Sequence, residues 1–112
     1  MEPDKDLFLL KTISSYCDDI LAAIKRFSID GEKVKNDSDL RALLAFFVQQ
    51  IGETASKLSD DFKESHPEIE WKAIIGFRNR IVHAYGKIIP EILWDTVQND
   101  IPELKGFCAG MV

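Results

Sequence analysis

Thiols are scarce in this chain. Cys17 and Cys108 lie far apart, and neither has a second Cys or a His at metal-ligand spacing, so no metal site and no cofactor are expected. The N-terminal stretch lacks the basic, apolar, small-residue order of an export signal, and the simple expectation is a reduced, cytoplasmic protein. Charge interrupts every apolar run well before the roughly 20 residues that a membrane span requires, so no membrane partner is expected. Linkers, repeats and low-complexity tracts are also missing. With 112 residues, 46% of them hydrophobic, the expectation is one domain over residues 1–112 with a single core.

Basic residues are outnumbered. A net charge of -5 and a pI near 5.0 argue against a general nucleic-acid coat, which needs an excess of Lys and Arg. One segment departs from that balance. From Trp71 to Lys87 there is no Asp or Glu, while Lys72, Arg78, Arg80 and Lys87 give the segment a charge of +4 against -9 for the remainder. An anionic ligand is drawn there, and little else on the surface competes for it.

Sustained period-two alternation is absent as well, which argues against strands. Leu10, Ile13, Cys17, Ile20, Ile24 and Phe27 recur at spacings of three and four and predict a long amphipathic helix that ends at Ile29-Asp30-Gly31. A second stripe, Leu40, Leu44, Phe47, Ile51, Leu58 and Phe62, predicts one helix from a cap at Asp37 or Asp39 to the Ser65-His66-Pro67 break, with Leu43 and Phe46 widening its apolar face. Trp71, Ile74, Ile75, Arg78, Ile81 and Val82 predict a third helix, with Glu68 and Glu70 near its positive end. The last begins at Pro90 and carries Leu93, Trp94, Val97, Ile101, Leu104 and Cys108, with a kink or restart at Pro102. The fold class is therefore all-α: an antiparallel four- to five-helix bundle. Cys17 reads as buried, Cys108 as part of a frayed end. Apolar stripes this wide are hard to cover within so small a bundle, so a twofold homodimer is expected.

Chemistry concentrates in Phe77-Arg78-Asn79-Arg80-Ile81-Val82-His83-Ala84-Tyr85-Gly86. A fixed cation, an imidazole and a phenol within one short apolar segment suit phosphate chemistry better than packing. On an unbroken helix Arg78 and Tyr85 point the same way, His83 lies roughly 140° from Arg78, and Asn79 shares a face with His83. A straight helix therefore cannot aim all three at one point. Either the helix loosens near His83, which Gly86 permits, or two copies of the chain share a site.

The spacing Arg78, four residues, His83, one residue, Tyr85 is similar to the R-x4-H-x-Y motif of the HepT-like toxins of the HEPN superfamily. Ile51-Gly52-Glu53-Thr54-Ala55, Ser65-His66-Pro67-Glu68-Ile69, the Trp71–Asn79 run and Trp94-Asp95-Thr96-Val97 also resemble that family, so the likeness covers nearly the whole chain. The resemblance implies a single HepT-like HEPN domain that forms a homodimer. Arg and His from both subunits would line a cleft and cut RNA without a metal. It also implies a toxin encoded beside an MntA-like nucleotidyltransferase antitoxin of MNT type, which in part of the family transfers AMP from ATP to the motif tyrosine. Carried over, Tyr85 is the AMPylation site, Arg78, His83 and Asn79 are catalytic, and Arg80, Lys72 and Lys87 bind RNA phosphate.

The residue chemistry fits that carry-over. Cleavage by the RNA 2′-hydroxyl needs a base, an acid for the leaving 5′-oxygen, and positive charge on the phosphorane. An imidazole serves as base or acid near neutral pH, a guanidinium grips two phosphate oxygens, and a dimer supplies the second imidazole. Each side chain also has a structural role open to it: Arg78 as an interface or acid partner, Asn79 as a cap, His83 as a helix-end residue, Tyr85 as a packed ring. Two other readings stay open at the sequence level. One is a non-catalytic nucleotide- or phosphate-binding HEPN module; the other is a chain whose role lies wholly in Tyr85 modification by its partner.

Overall fold

The computed structural model describes residues 3–82 and 86–111, and among them helix dominates. Helix α1 (Pro3–Phe27) buries Leu10, Ile13, Cys17 and Ile20, while the end of its predicted stripe surfaces, Ile24 half-buried and Phe27 exposed. Ser28 ends it with a φ of 50°, and the Ile29 amide closes back on the Ile24 carbonyl at 2.9 Å. A short helix that the stripes did not show, α2 (Gly31–Asn36), follows immediately, capped by Asp30, whose carboxylate accepts from the Lys33 amide at 2.9 Å. Helix α3 (Ser38–Ala55) starts where expected, with Asp37 Oδ1 accepting from the amides of Asp39 and Leu40.

The second stripe is not one helix. The α3 helix stops at Ala55, and α4 (Asp60–Ser65) begins afresh after Ser59. Asp6, buried near the start of α1, takes the Ser59 amide at 2.9 Å and the Ser59 hydroxyl at 2.6 Å, and that hydroxyl in turn accepts from the Phe62 amide. A cap built across 53 residues of sequence outcompetes continuation of the helix, and no local pattern announces it.

The third predicted helix is also two. Trp71–Ile75 forms α5 and Phe77–Ile81 forms α6, with Gly76 between them outside helical geometry. This pair lies against α3 at Gly52, where an added Cβ would come within 2.7 Å of the Ile74 carbonyl oxygen. Gly52→Ala is therefore expected to push α5 away from α3 and to destabilise the fold by about 1–3 kcal/mol, read from urea unfolding. A midpoint equal to the parent's would refute this account of the contact.

Helix α7 (Pro90–Asp95) starts at its proline as expected, then passes without interruption through a π-helical turn (Thr96–Asp100) into α8 (Ile101–Met111). Pro102 thus neither kinks the chain out of helix nor restarts it behind an Asn99 or Asp100 cap; the turn before it widens instead. Proline has no amide for the Gln98 carbonyl and its ring would strike that carbonyl, and a wider turn relieves both problems.

Helix α1 packs between α3 and α8, α3 carries α5 and α6 on another side, and α2 lies against α7. The thinnest extent of the molecule, 19 Å, corresponds to about two helix diameters. The expected all-α bundle is present, with α2 and α4 as added short helices. The core runs through Ile13, Ile20, Leu44, Ile51, Phe77, Leu93, Ile101 and Leu104. Lys105 of α8 crosses to α1 and donates to Asp18 at 2.8 Å and to Ser14 at 2.9 Å.

Cys108 is fully buried rather than frayed, as is Cys17. Burial pushes the Cys17 thiol up to about 12 and the Cys108 thiol up to about 11. Both shifts favour the protonated thiol in the folded state, so their contribution to stability is intact below the ordinary value of 9.0 and declines as pH rises toward the folded values. Unfolding midpoints are expected to fall above about pH 9, with neither thiol alkylated in native protein at about pH 8. Rapid native-state alkylation would overturn this.

Candidate active site

Helix α6 is short and has two distinct sides. Phe77 and Ile81, four apart, are wholly buried, whereas Arg78, Asn79 and Arg80 are exposed. The helix ends at Ile81, since Val82 is extended (φ -106°, ψ 127°) and pairs as an isolated antiparallel bridge with Ile88. The Ile89 amide then donates to the Ile81 carbonyl at 2.7 Å. The chain therefore leaves α6 and returns beside its own exit, with both ends of the motif segment tied together. Gly86, with a φ of 75°, takes a left-handed conformation that L side chains rarely adopt.

His83 and Tyr85 lie outside the described residues. The described helix ends at Ile81, with Val82 extended, and the expected sharing of a face by Asn79 and His83 likewise falls outside the described residues. Of the two routes weighed from the sequence, loosening of the helix before His83 is present.

The four cations of the acid-free segment divide. Among the described residues, Lys72, Arg78 and Lys87 are exposed and have no carboxylate partner, whereas Arg80 is bound at 2.8 Å to Asp100 and at 3.3 Å to Asp95. Arg78 and Arg80 point roughly 160° apart around α6, so they serve different surroundings. The Asp95 and Asp100 partners of Arg80, and the Asn99 amide that holds Asp95, escaped sequence reasoning. The only available signal was a pair of acids five apart ahead of Pro102, which regular helix geometry would have separated.

A cleft of about 230 Å³ lies beside α5 and α6, with Glu70, Arg80, Asp100 and Glu103 among its lining groups. Three carboxylates against one guanidinium make it a poor receptor for phosphate, which leaves the Arg78 side of α6 as the anion-attracting face. His66 is not part of either face. Its ring packs on Phe62 and Phe107, its Nδ1 lies 3.3 Å from Glu68, and its carbonyl accepts from Trp71 Nε1 at 3.0 Å. The Glu68 carboxyl is held below the usual range by a backbone hydrogen bond and then by His66. Glu53 is exposed, and Gln50 reaches the Tyr16 hydroxyl at 3.5 Å. Among the described residues no cluster of three metal-ligating side chains occurs, and no helix is long and apolar enough to cross a membrane.

Arg78, without a carboxylate partner among the described residues, and the adjacent Asn79 thus stand exposed on an all-α bundle. The chain belongs to the ribonuclease HepT-like family, whose model matches residues 17–111. It is similar to "Probable ribonuclease HepT" of Thermococcus cleftensis, 45% identical over 59 residues that cover 53% of this chain and 54% of that protein. A longer match, 31% identical over 104 residues, covers 92% of this chain and 88% of "Putative RNase MJ0125" of Methanocaldococcus jannaschii. "Putative RNase TTE0752" of Caldanaerobacter subterraneus subsp. tengcongensis is 31% identical over 96 residues, 86% of this chain and 84% of that one. No solved structure gives a significant match.

Proposed function

We propose that this chain is a metal-independent endoribonuclease, the toxin of a HepT/MntA-type pair, which acts as a homodimer and is silenced by AMPylation of Tyr85. The observation that carries this reading is Arg78: an exposed guanidinium without a carboxylate partner among the described residues, on a helix anchored in the core by Phe77 and Ile81. Family membership and the names of the relatives support RNA as the polyanion.

In this reading Arg78 holds the nonbridging oxygens of the scissile phosphate and gains strength as charge builds on the phosphorane. One His83 removes the proton of the 2′-hydroxyl, and the second, from the other copy, protonates the leaving 5′-oxygen. The P–O5′ bond breaks as P–O2′ forms, which leaves a 2′,3′-cyclic phosphate and a 5′-hydroxyl. Asn79 orients the phosphate or an imidazole, while Lys72 and Lys87 attract flanking RNA. Phe46, 53% exposed, and Ile75 offer apolar surface for the second copy.

A nucleotidyltransferase partner would transfer AMP from ATP to the Tyr85 hydroxyl, the α-phosphorus bonding the phenolic oxygen as pyrophosphate and the phenolic proton leave, and the added anionic phosphodiester would repel RNA. Mass spectrometry after incubation with that partner and ATP is expected to find one or more AMP units on the parent chain and none on Tyr85→Phe. Adducts on Tyr85→Phe would refute the site. Parent protein that binds nucleotide through Arg78 yet leaves RNA intact would favour a phosphate-binding module instead.

A further inference from the structure

The ion pairs that hold the Arg80 guanidinium involve an irregularity in the last helix. Asp95 and Asp100 are five residues apart and on a regular α-helix would diverge by roughly 140°. Across Thr96–Asp100, however, the Ile101 amide donates to the Thr96 carbonyl, and this wider turn brings residues of that spacing closer round the helix axis than a regular turn does. Arg80 Nη1 meets Asp100 Oδ2 at 2.8 Å, and Arg80 Nη2 meets Asp95 Oδ2 at 3.3 Å. Asn99 Nδ2 holds the other Asp95 oxygen at 2.8 Å and the Asp95 carbonyl at 3.1 Å, which turns Oδ2 toward the arginine. The forked guanidinium spans two carboxylates on either side of the widened turn.

Helix α6 needs such a tether. It has five residues and no side-chain N-cap, so two buried apolar anchors along one seam and the Ile81–Ile89 hydrogen bond at its exit fix its depth, and rocking about that seam is what they restrain least. Arg80 sits on the side away from Arg78 and would stop the rocking. With the three side chains 41%, 57% and 36% exposed, the pairs contribute little to global stability, and their effect belongs in placement.

We propose that Arg80, Asp95 and Asp100 form a positioning clamp, built across the π-turn, that sets the angle at which α6 presents Arg78 to RNA phosphate. This rests on the ribonuclease reading. It replaces a direct phosphate contact for Arg80 with a role exerted through Arg78. The two roles respond oppositely when the acids are neutralised. A phosphate-binding Arg80 would be released by Asp95→Asn with Asp100→Asn, so that RNA binds more tightly. A clamp would be lost, with Arg78 misaligned.

The test compares Arg80→Ala, the Asp95→Asn/Asp100→Asn pair, and the swap Arg80→Asp/Asp100→Arg in full-length protein, each measured for kcat and KM on one RNA and for α6 amide shifts by NMR. The clamp predicts that both Arg80→Ala and the double asparagine variant lower kcat about ten- to a hundredfold, with KM and the salt dependence of binding little changed, and that the swap restores part of kcat. It is overturned if Arg80→Ala raises KM and lowers the salt slope by about one phosphate while the asparagine variant lowers KM. Parent protein that cuts no RNA ends the ribonuclease reading alone. The clamp is then decided by NMR: matching shifts at Phe77–Ile81 in Arg80→Ala and in the asparagine variant uphold it, and unmoved amides in either sink it.

Discussion

Arg78→Ala is expected to lower kcat for RNA cleavage by about 10²–10³-fold, the usual loss when one preorganised donor to a developing oxyanion is removed. The effect should fall mainly on kcat, since the guanidinium meets most charge in the phosphorane, and Arg78→Lys should recover only part because a point charge cannot fork across two oxygens. Folding should be unaffected. Arg78 is exposed and makes no side-chain hydrogen bond among the described residues, whereas its neighbours Phe77 and Ile81 carry the burial of α6. Steady-state kinetics beside a thermal melt check both halves. An activity loss matched by a drop in melting temperature would instead assign Arg78 to the scaffold.

His83→Ala should cost about 10²–10⁴-fold, and it should also change the shape of the pH–rate profile. Two imidazoles in one symmetric cleft, one accepting and one donating a proton, give a bell in which each limb belongs to the pair rather than to one residue. Loss of both abolishes the bell. RNA binding should survive, because Arg78, Lys72 and Lys87 remain. Parent and variant profiles of identical shape would show that the imidazole moves no catalytic proton. A small effect on kcat would do so as well.

Much of the fold was legible in the sequence, because periodicity of three and four is a direct consequence of helix geometry and the bundle must bury those stripes. Helix α1, the Asp37 cap of α3 and the Pro90 start of α7 follow that logic. Three of its failures share a cause. The break between α3 and α4 is made by Asp6 reaching Ser59, the close approach at Gly52 by a carbonyl on another helix, and the burial of Cys108 by α1. Each is a contact between distant parts of the chain, and none leaves a local periodic trace. At the site, residue type and spacing singled out Arg78 and Asn79, which are indeed exposed together on α6. They set Arg80 beside Lys72 and Lys87 as a phosphate-binding cation and gave no sign that carboxylates engage it. What sets Arg80 apart is the pair of carboxylates, Asp95 and Asp100, that engages it from the last helix. His83 and Tyr85 were read from the motif and stay proposals.

The central claim is that the Arg78 face of this bundle cuts RNA through the RNA's own 2′-hydroxyl. The most direct measurement incubates the purified parent chain, in EDTA and between about pH 6 and 8 where imidazole changes charge, with an RNA and with the same strand carrying a single 2′-deoxy nucleotide at the cut position. The account predicts cleavage of the RNA to a 2′,3′-cyclic phosphate and a 5′-hydroxyl, with the deoxy-substituted strand intact at that position and Arg78→Ala inert toward both. Intact RNA throughout, or cleavage of the deoxy-substituted strand at the same rate, would contradict it.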